Sequence, residues 1–183
     1  PKIPKKSSQK RILLVRHGET DWNKEGRFQG QIDIPLNENG KSQALAASKF
    51  LKNIPIQKAF CSSLSRPIET AEIILKEHSE IEISLKESLI EISHGEWEGK
   101  LESEIKAEWP ALLNTWKILP EKVQMPDGEN IKDVSTRSIS GWLEICQDLK
   151  NDETALIVAH DAVNKTILCH LLGLTPSEIW MIK

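Results

Sequence analysis

The sequence predicts an α/β fold, a three-layer sandwich in which helices flank a mostly parallel central sheet. Short apolar segments alternate with helix-type segments along the chain, which is the pattern of parallel strands joined by crossover helices. The most apolar segment, Ala-Leu-Ile-Val-Ala at 155–159, is almost continuous, as in strands that are buried on both faces. A chain of 183 residues, of which 39% are hydrophobic, is long enough to bury the core of one such domain.

The first half of the chain supplies two strands and two helices. Arg11–Arg16 is a short apolar strand that opens into a loop at His17-Gly18. Residues 37–53 predict a helix capped by Asn37, and residues 57–62 predict the second strand. The next helix is expected to begin at Ser65 as the N-cap, followed by Arg66 and by Pro67, which is tolerated in a first turn.

The second half continues the alternation. Residues 81–86 predict a strand, and residues 100–117 predict a helix that is interrupted or kinked at Pro110. A surface loop at 120–130 leads to Asn130, which is suited to cap a long amphipathic helix. The last strand is expected at Thr154–Ala159, and the helix after it runs over 162–172 and is closed by Gly173.

Histidine and arginine side chains lie at the predicted ends of these strands. His17, Arg66 and His160 each come just after a strand, and ligands of parallel sheets bind beyond the carboxyl ends of the strands. Together with Arg16, these groups would repel one another unless an anion lay between them. Two planar guanidinium groups and two imidazoles are suited to a phosphoryl group. The sequence therefore predicts a phosphate site.

A histidine nitrogen can attack phosphorus, form a covalent phosphoenzyme and release it to water. The departing alkoxide also needs a proton, and Glu91, which follows the apolar Leu89-Ile90, is the best candidate for this acid. Glu96 and Glu98 are expected on the solvated surface of the same loop. Of the six tryptophans, Trp97 is expected to line a lid over the substrate, whereas Trp109 and Trp116 are expected in packing roles.

Several function classes are excluded by composition and by missing motifs. The formal net charge of −3 argues against a nucleic-acid partner, and no segment has the length of a membrane helix. The chain contains no Gly-rich nucleotide loop and no Gly-x-Ser-x-Gly motif, and its scattered aspartates do not predict a metal site. Three cysteines without a Cys-x-x-Cys spacing are expected to be reduced thiols in the cytoplasm. No cofactor is expected.

Five segments resemble successive blocks of one family, the phosphoglycerate-mutase-like branch of the histidine phosphatase superfamily. They are LLVRHGETDWNKEGRFQGQIDIPLNENGKSQA, SSLSRPIETAEII, EISHGEWEG, PDGEN and ALIVAHDAVNKTILCHLLGL. The resemblance runs from Arg11 to about Trp180. The whole chain is most similar to the second domain of cyanobacterial proteins described as 2-carboxy-D-arabinitol-1-phosphatase-like.

The resemblance implies a role for each site residue. It makes His17 the phosphorylated nucleophile and Glu91 the proton donor, and it places Arg16, Arg66 and His160 in the phosphate pocket. It implies further substrate-binding residues, which are Asn23, Gln29, Asp161 and Ala162. Asp161 stands where the family usually has glycine, so its carboxylate would alter affinity or substrate choice if it faces the pocket. Asn130 stands where many members have serine.

The resemblance also implies a domain division. Residues 1–10 are expected to be a linker or flexible leader that joins an upstream domain, and residues 11–183 are expected to be the phosphatase domain. Because members of the family continue into another strand after the position of Lys183, we expect this domain to be truncated at its C-terminus.

Three functions remain open at this point. The favoured one is a metal-independent phosphomonoesterase that acts on a small phosphorylated metabolite, such as a sugar or sugar-acid phosphate. The alternatives are a phosphoglycerate-type mutase and a non-catalytic, regulatory phosphate-binding module. The sequence does not specify the substrate or the oligomeric state.

Overall fold

A computed structural model describes residues 9–78 and 80–183, and in it the strands form one parallel sheet. The strands are β1 (Arg11–Arg16), β2 (Lys58–Cys61), β3 (Ile83–Leu85) and β4 (Thr154–Ala159), in the spatial order β1-β4-β2-β3. Most of the predicted leader lies outside the described residues. The mostly parallel sheet of the prediction is confirmed.

The described residues also form seven helices. They are α1 (Asp21–Glu25), α2 (Glu38–Leu51), α3 (Ser65–Leu75), α4 (Glu102–Glu108), α5 (Pro110–Ile118), α6 (Ile131–Asp148) and α7 (Asp161–Leu172). Short 3₁₀ turns cover Glu87–Leu89, Gly95–Trp97, Pro120–Lys122 and Pro176–Met181. Over the described ranges, no helix combines the length and apolar character that crossing a bilayer requires.

The central strand β4 shows why the fold has three layers. All of its residues are buried, and its side chains alternate between two separate core clusters. Leu156 and Val158 pack with residues of α2 and α3, whereas Ala155 and Ile157 pack with residues of α6 and α7. Because successive side chains of a strand point to opposite faces, a fully apolar strand must be covered by helices on both sides.

Local signals account for most helix boundaries. The Asn37 Oδ1 accepts the Gly40 N–H at 2.8 Å, and the Asn130 Oδ1 accepts the N–H groups of the first turn of α6. Pro110 separates α4 from α5, as predicted, because proline has no N–H to continue the first helix. Gly173 closes α7 with a left-handed φ of 71°.

Several details differ from the prediction. Ser65 is not the N-cap of α3; Leu64 is, and its side chain makes no capping bond. The Asp33 carboxylate instead accepts both the N–H and the hydroxyl of Ser65, at 2.8 and 2.7 Å, so a remote loop supplies the cap. Helix α7 begins at Asp161, one residue early, and the short helix α1 was not predicted.

Candidate active site

A cavity of about 470 Å³ lies at the carboxyl ends of the strands. All but one of the predicted site residues line it, namely Arg16, His17, Asn23, Gln29, Arg66, Glu91, Asp161 and Ala162. The remaining one, His160, is fully buried beside His17, with 5.1 Å between the ring centroids. The structure therefore brings together residues that are far apart in the chain, from Arg16 to Ala162, as the strand-end argument predicted.

His17 is held as a neutral ring whose Nε2 carries no proton. Its Nδ1 lies 2.7 Å from the carbonyl oxygen of Gly18, and because a carbonyl can only accept, Nδ1 carries the proton. Burial lowers the His17 pKa to about 3, and the nearby charges of Arg66 and Arg16 add to this shift. Nε2 is therefore unprotonated near neutral pH, and its lone pair accepts a hydrogen bond from the Nε of Arg66 at 3.3 Å.

Arg66 is fixed by backbone carbonyls of the loop that follows α1. Its two terminal nitrogens donate to the oxygens of Ile32 and Gly30, at 2.9 and 2.7 Å. Its exposed fraction is only 1%, and burial lowers its pKa, although neighbouring carboxylates oppose that shift. A planar guanidinium pinned at both ends presents its Nε edge to His17 in a fixed orientation.

His160 lies behind His17 and does not itself line the cavity. Its Nε2 lies 2.8 Å from the hydroxyl oxygen of Ser62, and its Nδ1 is buried without a hydrogen-bond partner among the described residues. Burial lowers its pKa well below the ordinary value, and the charge of Arg66 contributes to this effect. The ring is therefore neutral in the unliganded protein.

Glu91 supplies a carboxyl group that holds a proton more readily than usual. Its side-chain oxygens accept the N–H groups of Ile92 and Ala162, at 3.0 and 3.4 Å. Burial raises the Glu91 pKa, and this effect outweighs the lowering by those N–H groups and by Arg66. A carboxyl group in this state can donate a proton to a group bound in the cavity.

Thr20 orients the two amide side chains of the cavity. Its N–H donates to the Asn23 Oδ1 at 3.1 Å, and its hydroxyl lies 2.6 Å from the Gln29 Oε1. Because both amide oxygens are engaged with Thr20, the NH₂ groups of Asn23 and Gln29 are left to donate to a ligand. Thr20 was not predicted as a site residue, although it is the N-cap of α1 in a capping box that the sequence does contain.

The unusual Asp161 faces the cavity through its side chain. Its carboxylate lies 3.3 Å from a terminal nitrogen of Arg16 and 3.0 Å from the Nζ of Lys165. Arg16 itself is half exposed at the rim. Asp161 therefore competes with any bound anion for the charge of Arg16.

The far end of the cavity is aromatic. Phe28, His94, Trp116 and Trp180 line it, and the His94 and Trp116 rings meet edge to face with 5.8 Å between centroids. The expected lid position of Trp97 is wrong, because this side chain is fully buried beneath Phe28.

The segment that carries Trp97 folds inward because of Glu98. The Glu98 Oε1 accepts the N–H groups of Gln31 and His94, both at 3.0 Å, and this draws the loop against the domain. Glu98 is therefore partly buried rather than solvated as expected, whereas Glu96 is exposed.

A family model described as histidine phosphatase superfamily (branch 1) matches residues 12–183. The chain belongs to this superfamily. The family that the sequence predicted is thereby confirmed.

Named relatives of this histidine phosphatase include both phosphatases and mutases. Phosphoserine phosphatase 1 of Hydrogenobacter thermophilus is 33% identical over 170 residues, which are 93% of this chain and 80% of the relative. A 2,3-bisphosphoglycerate-dependent phosphoglycerate mutase of Gloeobacter violaceus is 31% identical, over 92% of this chain and 78% of the relative. A probable 2-carboxy-D-arabinitol-1-phosphatase of Arabidopsis thaliana is 33% identical over 90% of this chain, but this span is only 34% of that protein.

Among solved structures, YhfR of Bacillus stearothermophilus superimposes with a TM-score of 0.91 at 33% identity. The superposition covers 96% of this chain and 86% of YhfR. Family membership, together with the named phosphatases among the relatives, identifies the chain as an enzyme of the phosphatase class.

Sequence reasoning missed the residues that hold the site from behind. The carbonyls of Gly30 and Ile32, the hydroxyl of Ser62 and the side chain of Arg137 all contact site residues. None of them belongs to a local pattern that indicates this role, because each contacts a side chain or segment that is distant in sequence.

Proposed function

We propose that this histidine phosphatase hydrolyses phosphate monoesters of small metabolites through a phosphohistidine at His17, without a metal ion. One observation carries the proposal: the unprotonated Nε2 of His17 accepts a hydrogen bond from the Arg66 guanidinium, in a cavity that is also lined by Glu91, whose pKa is raised by burial. Nucleophile, cation and acid are the three parts that transfer of a phosphoryl group to histidine requires.

In the first step, His17 Nε2 forms a bond to phosphorus while the ester P–O bond breaks. Glu91 gives its proton to the departing oxygen, so the alcohol leaves as a neutral molecule. In the second step, the Glu91 carboxylate takes a proton from a water molecule whose oxygen attacks phosphorus. The N–P bond breaks, inorganic phosphate leaves, and His17 and Glu91 return to their starting states.

The surrounding donors match the charge of a phosphoryl group. Arg16 and Arg66 supply two positive charges, and the free NH₂ groups of Asn23 and Gln29 supply neutral donors. The Nδ1 of His160, beside His17, is buried without a partner among the described residues. An unsatisfied buried polar atom costs about 1–3 kcal/mol, which a hydrogen bond to a bound phosphoryl group would recover. The positive charges of Arg16 and Arg66 can stabilise the phosphoryl oxygens, which supports a mechanism without a metal ion.

The substrate is a small metabolite with a phosphate at one end. A cavity of about 470 Å³ suits a sugar phosphate or a sugar-acid phosphate, and relatives bear the names of phosphatases for phosphoserine and for 2-carboxy-D-arabinitol 1-phosphate. A panel of such esters, assayed with a chelator present, tests both the substrate class and the independence from metal.

The covalent step is tested by rapid quenching. The enzyme is mixed with a ³²P-labelled ester and quenched into an alkaline denaturant, because phosphohistidine is labile in acid. We expect label on the peptide that contains His17 and none in His17→Asn. Normal turnover by His17→Ala would refute the mechanism.

A mutase is the second candidate, because several relatives carry that name at 30–32% identity. Product analysis with phosphoglycerate separates the two reactions, since a mutase produces the isomeric phosphate whereas a phosphatase produces inorganic phosphate. A non-catalytic phosphate-binding module is disfavoured by Glu91, because anion binding alone has no use for a buried carboxyl group in the cavity.

A further inference from the structure

Arg137 and Glu129 form a two-point ion pair behind the segment that carries Glu91. The Nε of Arg137 lies 2.9 Å from one carboxylate oxygen of Glu129, and Nη2 lies 2.9 Å from the other. Both side chains are about three-quarters buried. Arg137 lies on helix α6, 46 positions from Glu91 in the sequence.

The remaining donors of Arg137 hold the backbone on the N-terminal side of Glu91 and at Glu91 itself. Nη1 donates to the carbonyl oxygens of Ser88 and Ile90, at 3.1 and 2.5 Å, and Nη2 donates to the carbonyl oxygen of Glu91 at 3.0 Å. One guanidinium therefore binds three carbonyls of the four-residue stretch 88–91 in addition to its acidic partner.

Glu129 holds the other side of Glu91. Its Oε2 accepts the N–H of Ser93 at 2.9 Å, and burial of this carboxyl is more than offset by the hydrogen bonds from Arg137 and Ser93, so its pKa is lowered. The ion pair thus forms hydrogen bonds to the backbone on both sides of Glu91. Gln31 adds one further bond to the Glu91 carbonyl, at 3.0 Å.

This stretch needs such support because it is irregular. After the 3₁₀ turn at Glu87–Leu89 it belongs to neither a strand nor a helix until Gly95. Its backbone groups therefore have no ladder partners, and buried backbone groups must find partners elsewhere. An arginine has five donors spread over a planar group and can bind several carbonyls and a carboxylate at once, whereas a lysine has only three donors on a single nitrogen.

We propose that Arg137 and Glu129 are positioning residues, which set the Glu91 carboxyl at the distance and angle needed to protonate the leaving oxygen. This inference rests on the proposed role of Glu91 as the proton donor. A misplacement of about 1 Å in a reacting group can reduce the rate about 10²-fold, so loss of the ion pair is expected to reduce turnover without removing any group from the cavity.

The dependence of rate on the leaving group distinguishes positioning from a general structural role. An alkyl phosphate needs a proton at its leaving oxygen, whereas 2,4-dinitrophenyl phosphate releases a stable anion and does not. Variants that lose proton donation are therefore slow with the first ester and nearly normal with the second. A variant that is merely less stable loses activity equally with both.

The experiment compares kcat/KM for the two esters in Arg137→Gln, Glu129→Gln and Glu91→Gln, because kcat/KM reports formation of the phosphoenzyme and excludes its hydrolysis, in which Glu91 acts again for both esters. With the alkyl ester we expect a loss of about 10²-fold in the ion-pair variants and of about 10²–10⁴-fold in Glu91→Gln. With the dinitrophenyl ester we expect little loss in any of them. Arg137→Lys keeps the charge but not the planar donor set, so it should behave as Arg137→Gln does.

Ser138→Ala is the matched control. Ser138 is the next residue on α6, is fully buried, and bonds to the hydroxyl of Thr166 at 2.8 Å rather than to the Glu91 segment. It should lower the midpoint of thermal unfolding and leave the ratio of the two rates unchanged. Assays are run below the unfolding midpoint of every variant, as followed by circular dichroism.

Each outcome has one meaning. Equal losses with the two esters in folded Arg137→Gln and Glu129→Gln would overturn the inference, and full activity of Arg137→Lys would overturn the part played by the planar donor set. If Arg137→Gln does not fold, Glu129→Gln decides alone. If Glu91→Gln itself shows no dependence on the leaving group, the proposed proton donor is wrong, which is a separate result.

Discussion

At the level of single residues, the chemistry of the cavity depends on which histidine nitrogen carries a proton. The carbonyl of Gly18 fixes the proton of His17 on Nδ1, and burial with two nearby arginines keeps the ring neutral. An imidazole exposed to water would instead be partly protonated near neutral pH, and a protonated Nε2 cannot attack phosphorus.

We therefore expect His17 to remain neutral and Nδ1-protonated from about pH 8 down to about pH 5, the range in which an ordinary histidine titrates. The measurement is ¹⁵N NMR of the imidazole nitrogens across that range, with His17→Asn to assign the signals. A titration of His17 with a midpoint between about 6 and about 7 would show that the ring is solvated and would contradict this account.

Asp161 offers a second test at the same scale. It lies 3.3 Å from Arg16, and it contributes to the raised pKa of Glu91 after the effect of burial. In Asp161→Asn we expect orthophosphate to inhibit up to about fivefold more tightly, since an exposed ion pair is worth about 0.2–1 kcal/mol. The alkaline limb of the rate profile should also move to lower pH, because Glu91 then loses its proton more readily.

Both effects of Asp161→Asn are measured by steady-state kinetics as a function of pH. Asp148→Asn is the control, since it breaks an ion pair with Lys58 on the surface, outside the cavity lining. Weaker phosphate inhibition in Asp161→Asn would show that the carboxylate orients Arg16 rather than competing with the anion.

At the level of elements, helix α2 and the loop after β1 touch through two glycines. A Cβ on Gly40 would lie 2.1 Å from the Glu19 carbonyl oxygen, and a Cβ on Gly18 would lie 2.4 Å from the Gly40 oxygen. This close contact fixes the loop whose carbonyl orients His17. The contact therefore links helix α2, in an outer layer, to the position of His17.

Gly40→Ala is therefore expected to reduce both stability and turnover. Helix propensity alone would favour alanine by about 1 kcal/mol, but overpacking against backbone atoms costs about 1–3 kcal/mol. Urea unfolding and kcat measure the two effects, and Ser42→Ala, at an exposed position of the same helix, should change neither strongly. A stabilised and fully active Gly40→Ala would show that the loop moves freely.

Elements with local signals could be predicted from sequence, and those that depend on tertiary contacts could not. Strand β4 and the caps Asn37 and Asn130 follow from periodicity and residue type. The cap of α3 comes from Asp33, which lies 32 positions before Ser65, so the local pattern pointed to the wrong residue.

The same distinction applies to the candidate site. The residues that line the cavity could be predicted, whereas the residues behind them could not. Strand-end histidines and arginines are visible because parallel strands end at one edge of the sheet. The hydrogen bonds from Arg137 to the Glu91 segment depend on how α6 packs, and no residue spacing in the sequence predicts them. The burial of Trp97 likewise follows from the inward fold of its loop.

At the level of the whole molecule, the buried histidines make folding dependent on pH. The pKa values of His17, His94 and His160 are all lowered from the ordinary 6.5, chiefly by burial. In the unfolded chain these rings bind protons below about pH 6.5, whereas the folded protein keeps them neutral. Unfolding therefore takes up protons, and the stability present above pH 6.5 is lost as the pH falls. Glu91 acts in the opposite direction, because its raised pKa means that the folded protein binds this proton at a higher pH than the unfolded chain does.

We expect the free energy of unfolding to fall as the pH is lowered from about 7 to about 5, because three histidines oppose one glutamate, and each contributes at most about 1.4 kcal/mol per pH unit. Urea unfolding at several pH values in this range measures the slope. His94→Phe is the matched variant: it removes one titrating ring while keeping an aromatic side chain between Phe28 and Trp116, so its slope should be smaller by the contribution of one histidine. A free energy that stays constant or rises toward acid in the unsubstituted protein would mean that the rings are protonated in the folded state, and the neutral nucleophile at His17 would then have no basis.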